Sequence, residues 1–290
     1  MVAPYSLNEN VFKKTLQYQS SATVKSVLND FEYFQQFDQE QEKKWRTWGM
    51  ICGAGVVLIL SGLFLCTLEY MPLGIGVMFV GSVVAIAAGI NYRINKRLDL
   101  EDKRYELASG VLQLLKTDTA EDSTINVALD FNPHNHKDKF VRSGKVGYWS
   151  AKFYLDKWLE IQGRFVDGTK FSLTFLEKQQ DRHRTKRSAS GKIKHKYKTK
   201  NASEVIVSLK IKNKRYPHLE NLIKDLNKSV QLPPWVELKS VATEGGALTI
   251  RSVTKNSWGA GKEAKEKDGV NWVAMKFLSL YKLLNDAKVK

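Results

Sequence analysis

Cationic side chains recur at alternate positions in residues 178–200. Ten lysines and arginines lie in this stretch against one acidic residue, Asp181, so it contributes about +9 of the chain's net charge of +16. Alternate side chains of a β-strand point to the same face, so each run predicts a strand with one cationic face. Such a face can bind anions electrostatically. The candidate anion-binding residues are Arg182, Arg184, Lys186, Arg187, Lys192, Lys194, Lys196, Lys198 and Lys200.

The alternation predicts a basic β-hairpin arm over residues 178–200. We expect the arm to extend a strand in the 170s and a strand at 203–212, with residues 188–191 at its tip and Ile193 and Tyr197 facing inward. Two other interpretations compete: a lysine-decorated edge strand that prevents aggregation, or a disordered basic loop. If the arm binds anions, the partner is acidic lipid headgroups, nucleic acid or an acidic protein.

The chain is long and apolar enough for a folded core beside this arm. It has 290 residues, of which 43% are hydrophobic, and lysine plus arginine outnumber aspartate plus glutamate by 46 to 30. A basic balance of this size favours anionic partners but does not determine a fold. The two cysteines, Cys52 and Cys66, lie in one apolar run. On a single helix they would be roughly 21 Å apart, too far for a disulfide.

Two uncharged runs follow one another at residues 49–68 and 73–92. Each has about 20 residues, the length that a helix needs to cross a hydrocarbon core of about 30 Å. The four residues between them, Glu69-Tyr70-Met71-Pro72, leave room only for a tight reversal. We therefore expect a transmembrane helical hairpin in contact with the lipid bilayer, and a pair of buried helices in a soluble protein is the alternative.

The charges that flank the two runs predict an orientation. Basic residues precede the first run and follow the second, whereas the connection between the runs carries only Glu69. The positive-inside rule then places both termini and the main domain in the cytoplasm of a multi-pass cell-membrane protein. The flanking basic residues are Lys43, Lys44, Arg46, Arg93, Lys96 and Arg97.

Small residues recur at helical spacing within the two runs, and they predict close helix packing. The expected contact is within the hairpin, and homo-oligomerisation through the same face is the alternative. The candidate packing residues are Gly49, Gly53, Gly81, Ala85 and Gly89.

The rest of the chain is expected to form helical extensions and a β-rich domain. Helical stripes predict stalk helices over 22–48 and 93–116, after an N-terminal segment at 1–21. From residue 123 the hydrophobic period changes to two. The fold class is therefore predicted as α+β: a two-helix transmembrane hairpin with helical cytosolic extensions, then an antiparallel sheet with covering helices over 123–290. The expected elements are strands near 124–131, 158–165, 170–178, 203–212, 235–241 and 247–253, with helices at 218–229 and 270–287.

One turn carries residue types that can bind a divalent metal, namely Asp130, His134, His136 and Asp138. Their spacing is nonspecific, and we interpret them as solvated loop side chains rather than metal ligands. No serine-hydrolase elbow, P-loop, zinc-protease helix or paired-cysteine motif is present. We therefore expect neither an enzyme nor a cofactor.

These expectations favour a membrane-anchored binding or scaffold protein that recruits an anionic partner through the basic arm. The layout of two spans followed by a β-rich cytosolic domain is also similar to that of bacterial membrane effectors, in which a sensor domain drives assembly of the spans. That similarity implies the alternative, a signal-gated effector whose two spans oligomerise and perturb the bilayer.

Overall fold

A computed structural model describes residues 7–188, 190–211 and 230–287. It combines a long antiparallel sheet with helices, which confirms the predicted α+β class. The expected helix at 218–229 lies outside the described residues. The helices are α1 (Glu9–Thr15), α2 (Val24–Thr67), α3 (Met71–Arg97), α4 (Asp102–Lys116) and α5 (Gly269–Ala287), with 3-10 turns at Lys137–Lys139 and Gly261–Glu263. The strands are β1 (Gln17–Thr23), β2 (Thr124–Asp130), β3 (Phe140–Val146), β4 (Trp149–Arg164), β5 (Lys170–Arg187), β6 (Ile193–Lys210), β7 (Glu237–Glu244) and β8 (Ala247–Thr254).

The chain divides into two compact units. One is the continuous segment Glu32–Glu101, and the other joins sequence from both sides of that segment. Strand β1 belongs to the second unit because it pairs with β2 along its whole length, from Gln17 opposite Asp130 to Thr23 opposite Thr124. No element is predicted from sequence for residues 1–21. Strand β1 is not predicted because it is short and polar, with only two buried side chains, Tyr18 and Ala22.

The continuous segment contains most of α2, which is a single helix of 44 residues, and α3. The predicted stalk helix over 93–116 is wrong as one element, because α3 ends at Arg97 and α4 begins at Asp102. In the segment between α3 and α4, the backbone N–H of Leu100 donates to the Asp38 carboxylate at 2.6 Å rather than to a carbonyl of the preceding helical turn. Helix α4 belongs to the unit that contains the sheet, where its apolar residues Leu107, Ala108 and Leu112 are buried.

The sheet runs in the order β1-β2-β4-β5-β6-β8-β7, with β3 added beside β4, and all its pairs are antiparallel. Its inner face carries buried apolar side chains such as Phe175 and Val207. Helices α4 and α5 pack on this face, where the ring of Trp272 meets Phe175 edge to face at 5.3 Å. The outer face carries mainly hydroxyl, amide and charged side chains, including Ser172 and Ser208. This polar face and its extension form the candidate functional surface.

Candidate anion-binding surface

Strands β5 and β6 extend beyond their neighbours as a two-stranded ribbon, defined here as residues 180–200. Strand β4 accompanies β5 only as far as the pair of Ser150 and His183. Strand β8 accompanies β6 only as far as the pair of Thr254 and Ser203. In the described part of the chain, the outermost ribbon residues therefore have no third strand beside them.

The predicted tip, residues 188–191, lies in the turn that joins the two strands, and Ala189 is outside the described residues. The backbone N–H and the hydroxyl of Ser188 both donate to the carbonyl of Lys192. Gly191 has a φ of +78°, a conformation that glycine adopts without strain. The turn thereby fixes the register of the ribbon.

The register brings the cations of both strands to one face. Arg182 lies opposite Lys198, Arg184 opposite Lys196, and Lys186 opposite Lys194. Directly opposite residues of an antiparallel pair share a face, with Cβ atoms about 5 Å apart, and successive cations along one strand are about 7 Å apart. We call this surface the cationic face, and it comprises Arg182, Arg184, Lys186, Lys194, Lys196, Lys198 and Lys200.

Among the described residues, no acidic side chain pairs with the cationic face. None of its members forms an ion pair within the described residues. The guanidinium of Arg184 lies 5.0 Å from the centre of the Tyr148 ring. Asp181 belongs to the opposite face, where it contacts His134 at 3.3 Å and accepts from Thr199 at 3.1 Å. The five lysines of the face are exposed, whereas Arg182 and Arg184 are half-buried and the Arg182 guanidinium also donates to the Gln180 side chain.

The opposite face of the ribbon carries stacked rings. His183 stacks on Tyr197 with ring centres 4.8 Å apart and on His195 at 5.5 Å. Ile193 and Tyr197 are 66% and 77% exposed, so the prediction that they face inward is wrong in the sense that neither side chain is buried. They lie on the core-facing side of the strand, but the ribbon extends past the helices that cover the inner face.

Two of the predicted anion-binding residues do not belong to the cationic face. Arg187 pairs with Ile193 on the opposite face, and its side chain donates to the carbonyl of Gly191. Lys192 lies in the turn before β6 begins. Alternation after Lys186 already places Arg187 on the other face, whereas Lys192 continues the even-numbered series of β6 and is excluded only because the strand begins at Ile193.

At the base of the ribbon, the outer face holds a carboxylate among three cations. Glu204 is buried, and its oxygens lie 2.6 Å from the ammonium of Lys178, 3.1 Å from Lys239 and 3.4 Å from the guanidinium of Arg251. Burial raises the pKa of Glu204, but hydrogen bonds and charges from Lys178 and Lys239 outweigh it, so this pKa lies below its ordinary value. Lys178 thus pairs with a carboxylate, which no member of the cationic face does among the described residues.

The four candidate metal ligands do not converge on one point: two pair with other side chains, and the other two pair with each other. Asp130 contacts Lys139 at 3.3 Å, His134 contacts Asp181, and His136 contacts Asp138 at 3.4 Å. Across residues 7–188, 190–211 and 230–287, no group of three or more histidine, cysteine, aspartate or glutamate side chains could hold a metal ion. The D-x₃-H-x-H-x-D spacing therefore does not produce a cluster.

The predicted packing residues of the helical pair divide into two groups. Gly81 and Ala85 lie in the seam between α2 and α3: a Cβ on Gly81 would be 2.9 Å from the Gly55 carbonyl oxygen, and a Cβ on Gly55 would be 2.8 Å from the Ala85 nitrogen. The other three make looser contacts or none. A Cβ on Gly49 would meet the Tyr92 ring at 3.5 Å, one on Gly89 would meet only the Cys52 sulfur at 4.0 Å, and one on Gly53 would meet nothing within 4 Å.

The sequence analysis missed three glycines of this seam, Gly55, Gly62 and Gly74. A Cβ on Gly62 would approach the Gly74 carbonyl oxygen to 2.7 Å, and a Cβ on Gly74 would approach the Gly62 oxygen to 2.6 Å. The seam follows a seven-residue spacing, as in Gly55 and Gly62 or Gly74 and Gly81. A seven-residue repeat keeps residues aligned along two helices that pack over their whole length.

Both helices of the pair expose apolar side chains. They are long and apolar enough to cross a membrane, and only 11% and 17% of their apolar windows are buried. Phe79 is 70% exposed and Ile86 65%. At the end of the helical pair where the basic flanking residues lie, the ring centres of Trp45 and Tyr92 are 5.9 Å apart. The Lys96 ammonium lies 4.5 Å from the Trp45 ring centre.

Comparison with models of known protein families, with curated proteins and with solved structures finds no match for this chain. Its function is therefore inferred from the surfaces described above.

Proposed function

We propose that the chain is a non-enzymatic, membrane-anchored binding protein. Helices α2 and α3 span the bilayer as an antiparallel hairpin, and the sheet lies in the cytoplasm with both termini. The cationic face recruits an anionic partner to the membrane surface.

Two features support the anchor. The exposed apolar side chains of α2 and α3 would each be costly in water, at about 25 cal/mol for every Å² of apolar surface. In addition, β1 precedes the hairpin in sequence and pairs with β2, which follows it. Both flanks of the hairpin must then lie on the same side of the membrane. The basic flanks and the lone Glu69 between the spans favour the cytoplasmic side.

The observation that carries the binding role is the unneutralised cationic face. Like charges directly opposite one another destabilise a strand pair. The register of β5 and β6 nevertheless opposes three pairs of cations, such as Arg184 and Lys196. The alternative interpretation, a lysine-decorated edge that prevents aggregation, does not require both strands to direct their charges to the same face. The shared face therefore favours a binding role. An external anion would turn this repulsion into binding energy.

Quadruple substitution of the β6 lysines tests this role. In K194Q/K196Q/K198Q/K200Q, four charges of the face are lost while the length and alternation of the strand remain. We expect the variant to bind its polyanion at least tenfold more weakly. If the partner is nucleic acid, the dependence of log K on log salt should also become less steep, by roughly one unit per lysine removed. The full chain, in nanodiscs of neutral lipid, would be titrated with duplex DNA, single-stranded RNA and phosphatidylserine vesicles in parallel.

The matched control, K145Q/K152Q/K262Q/K265Q, removes the same charge from exposed lysines outside the cationic face. We expect this control to retain most of the affinity and the salt dependence. Equal affinity of the two variants for every probe would contradict the proposed role of the ribbon. The probe that is still bound at near-physiological salt identifies the class of partner.

The signal-gated effector remains the alternative function. Its main support in the sequence is the set of small residues that could join spans of different copies. Gly81 and Ala85 already pack within the hairpin, and the outward surfaces carry large side chains such as Phe79 as well as the exposed Gly53. This arrangement favours the anchor over the effector.

A further inference from the structure

The outer face of the sheet carries a second cluster of three cations, at the end opposite the ribbon. Lys170 of β5 lies directly between Arg164 of β4 and Lys210 of β6 in the strand register. Neighbouring Cβ atoms in such a row are about 5 Å apart, and all three side chains are on one face. Lys170 and Arg182 are 12 residues apart on β5, so the row is about 40 Å from the nearest residue of the cationic face on that strand.

Within the described residues, this row has no internal counterion. At the Glu204 cluster, the same face of the same sheet places a buried carboxylate among three cations. In contrast, Arg164, Lys170 and Lys210 form no ion pair in the described part of the chain. Asp122 lines the same region without such a contact. The three cations of the row thus lie in a lining with one carboxylate, Asp122, that is not in ion-pair contact with them.

The row opens into a depression of about 750 Å³ whose other walls are mixed, with polar side chains beside the apolar Phe171 and Ala247. Asn126, Gln162, Ser172 and Ser208 follow one another across β2, β4, β5 and β6, and all four line the depression. This amide and hydroxyl row is two residues along the strands from the cation row, a distance of about 7 Å. One side of the depression therefore offers positive charge and the adjacent side offers hydrogen-bond donors and acceptors.

We propose that this depression binds a small phosphorylated sugar. A phosphate monoester carries a charge of about −1.5 to −2 and three acceptor oxygens, which suits three convergent cations. The neutral row can pair with sugar hydroxyls, since amide and hydroxyl groups both donate and accept hydrogen bonds. A volume of about 750 Å³ suits a small molecule. The site is distinct from the ribbon and does not depend on the role proposed for it.

Calorimetric titration of the full chain in neutral-lipid nanodiscs tests the proposal. The probes are glucose 6-phosphate, ribose 5-phosphate, inorganic phosphate and glucose. We expect at least one sugar phosphate to bind more tightly than both inorganic phosphate and glucose. In K170Q/K210Q this binding should weaken at least tenfold, whereas K262Q/K265Q, which changes two exposed loop lysines, should match the wild type.

A melting experiment without ligand separates binding from folding. Since K170Q/K210Q removes repulsion within the row, its melting temperature should equal or exceed that of the wild type. A lower melting temperature would mean that the cations stabilise the fold, and the proposal would fail. It would also fail if neither sugar phosphate binds at millimolar concentration, if the variant binds as well as wild type, or if inorganic phosphate or glucose binds as tightly as the sugar phosphates. The ribbon variant K194Q/K196Q/K198Q/K200Q should retain this binding whatever its effect on polyanions.

Discussion

At the scale of single residues, most buried charges in the sheet unit have charged partners. The Asp156 carboxylate contacts the Arg104 guanidinium at 2.8 Å and the Lys139 ammonium at 2.8 Å, and these side chains are 1%, 3% and 6% exposed. Lys276 differs, because it is fully buried and its side-chain nitrogen donates to the backbone carbonyl of Val205. Burial lowers the pKa of Lys276 well below its ordinary value, although the charge of Glu204 opposes this shift.

The lowered pKa of Lys276 predicts a stability that rises with pH. In the unfolded chain this lysine ionises at its ordinary pKa of 10.5, whereas in the fold it is neutral at lower pH. Between the two values the unfolded state holds one more proton, so unfolding becomes less favourable by about 1.4 kcal/mol per pH unit. We expect Lys276→Met to remove this slope just below pH 10.5. Urea unfolding of the full chain in nanodiscs at several pH values, followed by tryptophan fluorescence, measures it.

Lys282→Met is the control for this prediction, since Lys282 is exposed on the same helix, α5. It should unfold with the wild-type dependence on pH. The prediction requires the difference in unfolding free energy between wild type and Lys276→Met to change with pH below 10.5. A difference that stays constant across the alkaline range would mean that the lysine is charged in the fold, and the prediction would be wrong.

At the scale of elements, the seam between α2 and α3 gives a sharp contrast between two glycines. Leucine at position 81 would place its Cβ 2.9 Å from the Gly55 carbonyl oxygen, so the helices would have to separate. Overpacking of this kind costs about 1–3 kcal/mol. Leucine at position 53 meets nothing within 4 Å and should be tolerated. The accessibility of the Cys52 thiol can distinguish the two variants, because this thiol lies 3.6 Å from the Ala85 carbonyl oxygen across the seam.

We therefore expect a maleimide to modify Cys52 faster in Gly81→Leu than in wild type or Gly53→Leu. The measurement uses detergent-solubilised protein in which Cys66 is replaced by serine. Equal rates for the two leucine variants would mean that the seam does not restrict access to this thiol.

Sequence periodicity predicted the faces of individual elements better than the relation between elements. Alternation identified which lysines of β6 share a face. It did not determine that Arg184 would lie opposite Lys196, because a shift of one residue in the turn moves every β5 cation to the other face. The helical seam was predicted in part. The four-residue spacing of Gly49 and Gly53 predicted that these two glycines pack against the other helix. In the structure, the close helix contacts are instead made by Gly55 and Gly62, which are seven residues apart.

The missed elements depend on long-range pairing. Strand β1 is polar and short, and it is stabilised by hydrogen bonds to β2, more than 100 residues later in the sequence. The break between α3 and α4 depends on Asp38, which accepts a hydrogen bond from the backbone 62 residues away. The cation row of Lys170 likewise exists only because three strands align. Local periodicity contains none of these relations.

At the scale of the whole molecule, the pairing of β1 with β2 constrains how the chain can cross a bilayer. The two strands flank the helical pair in sequence, so an even number of spans must separate them. Two apolar helices meet this requirement. The basic flanks then predict a cytoplasmic sheet, and the turn between the helices, where Glu69 has a φ of +68°, should reach the opposite side.

Labelling of single cysteines in intact cells tests this topology. Starting from Cys52→Ser and Cys66→Ser, one variant carries Glu69→Cys in the helix turn and the other Lys145→Cys on exposed β3. We expect a membrane-impermeant maleimide to modify position 69 in intact cells and position 145 only after lysis, because a charged reagent does not cross the bilayer. The reverse pattern would place the sheet outside and contradict the orientation. Protection of both positions until lysis would mean that the turn does not reach the far side, and labelling of both in intact cells would mean that the two helices do not separate them.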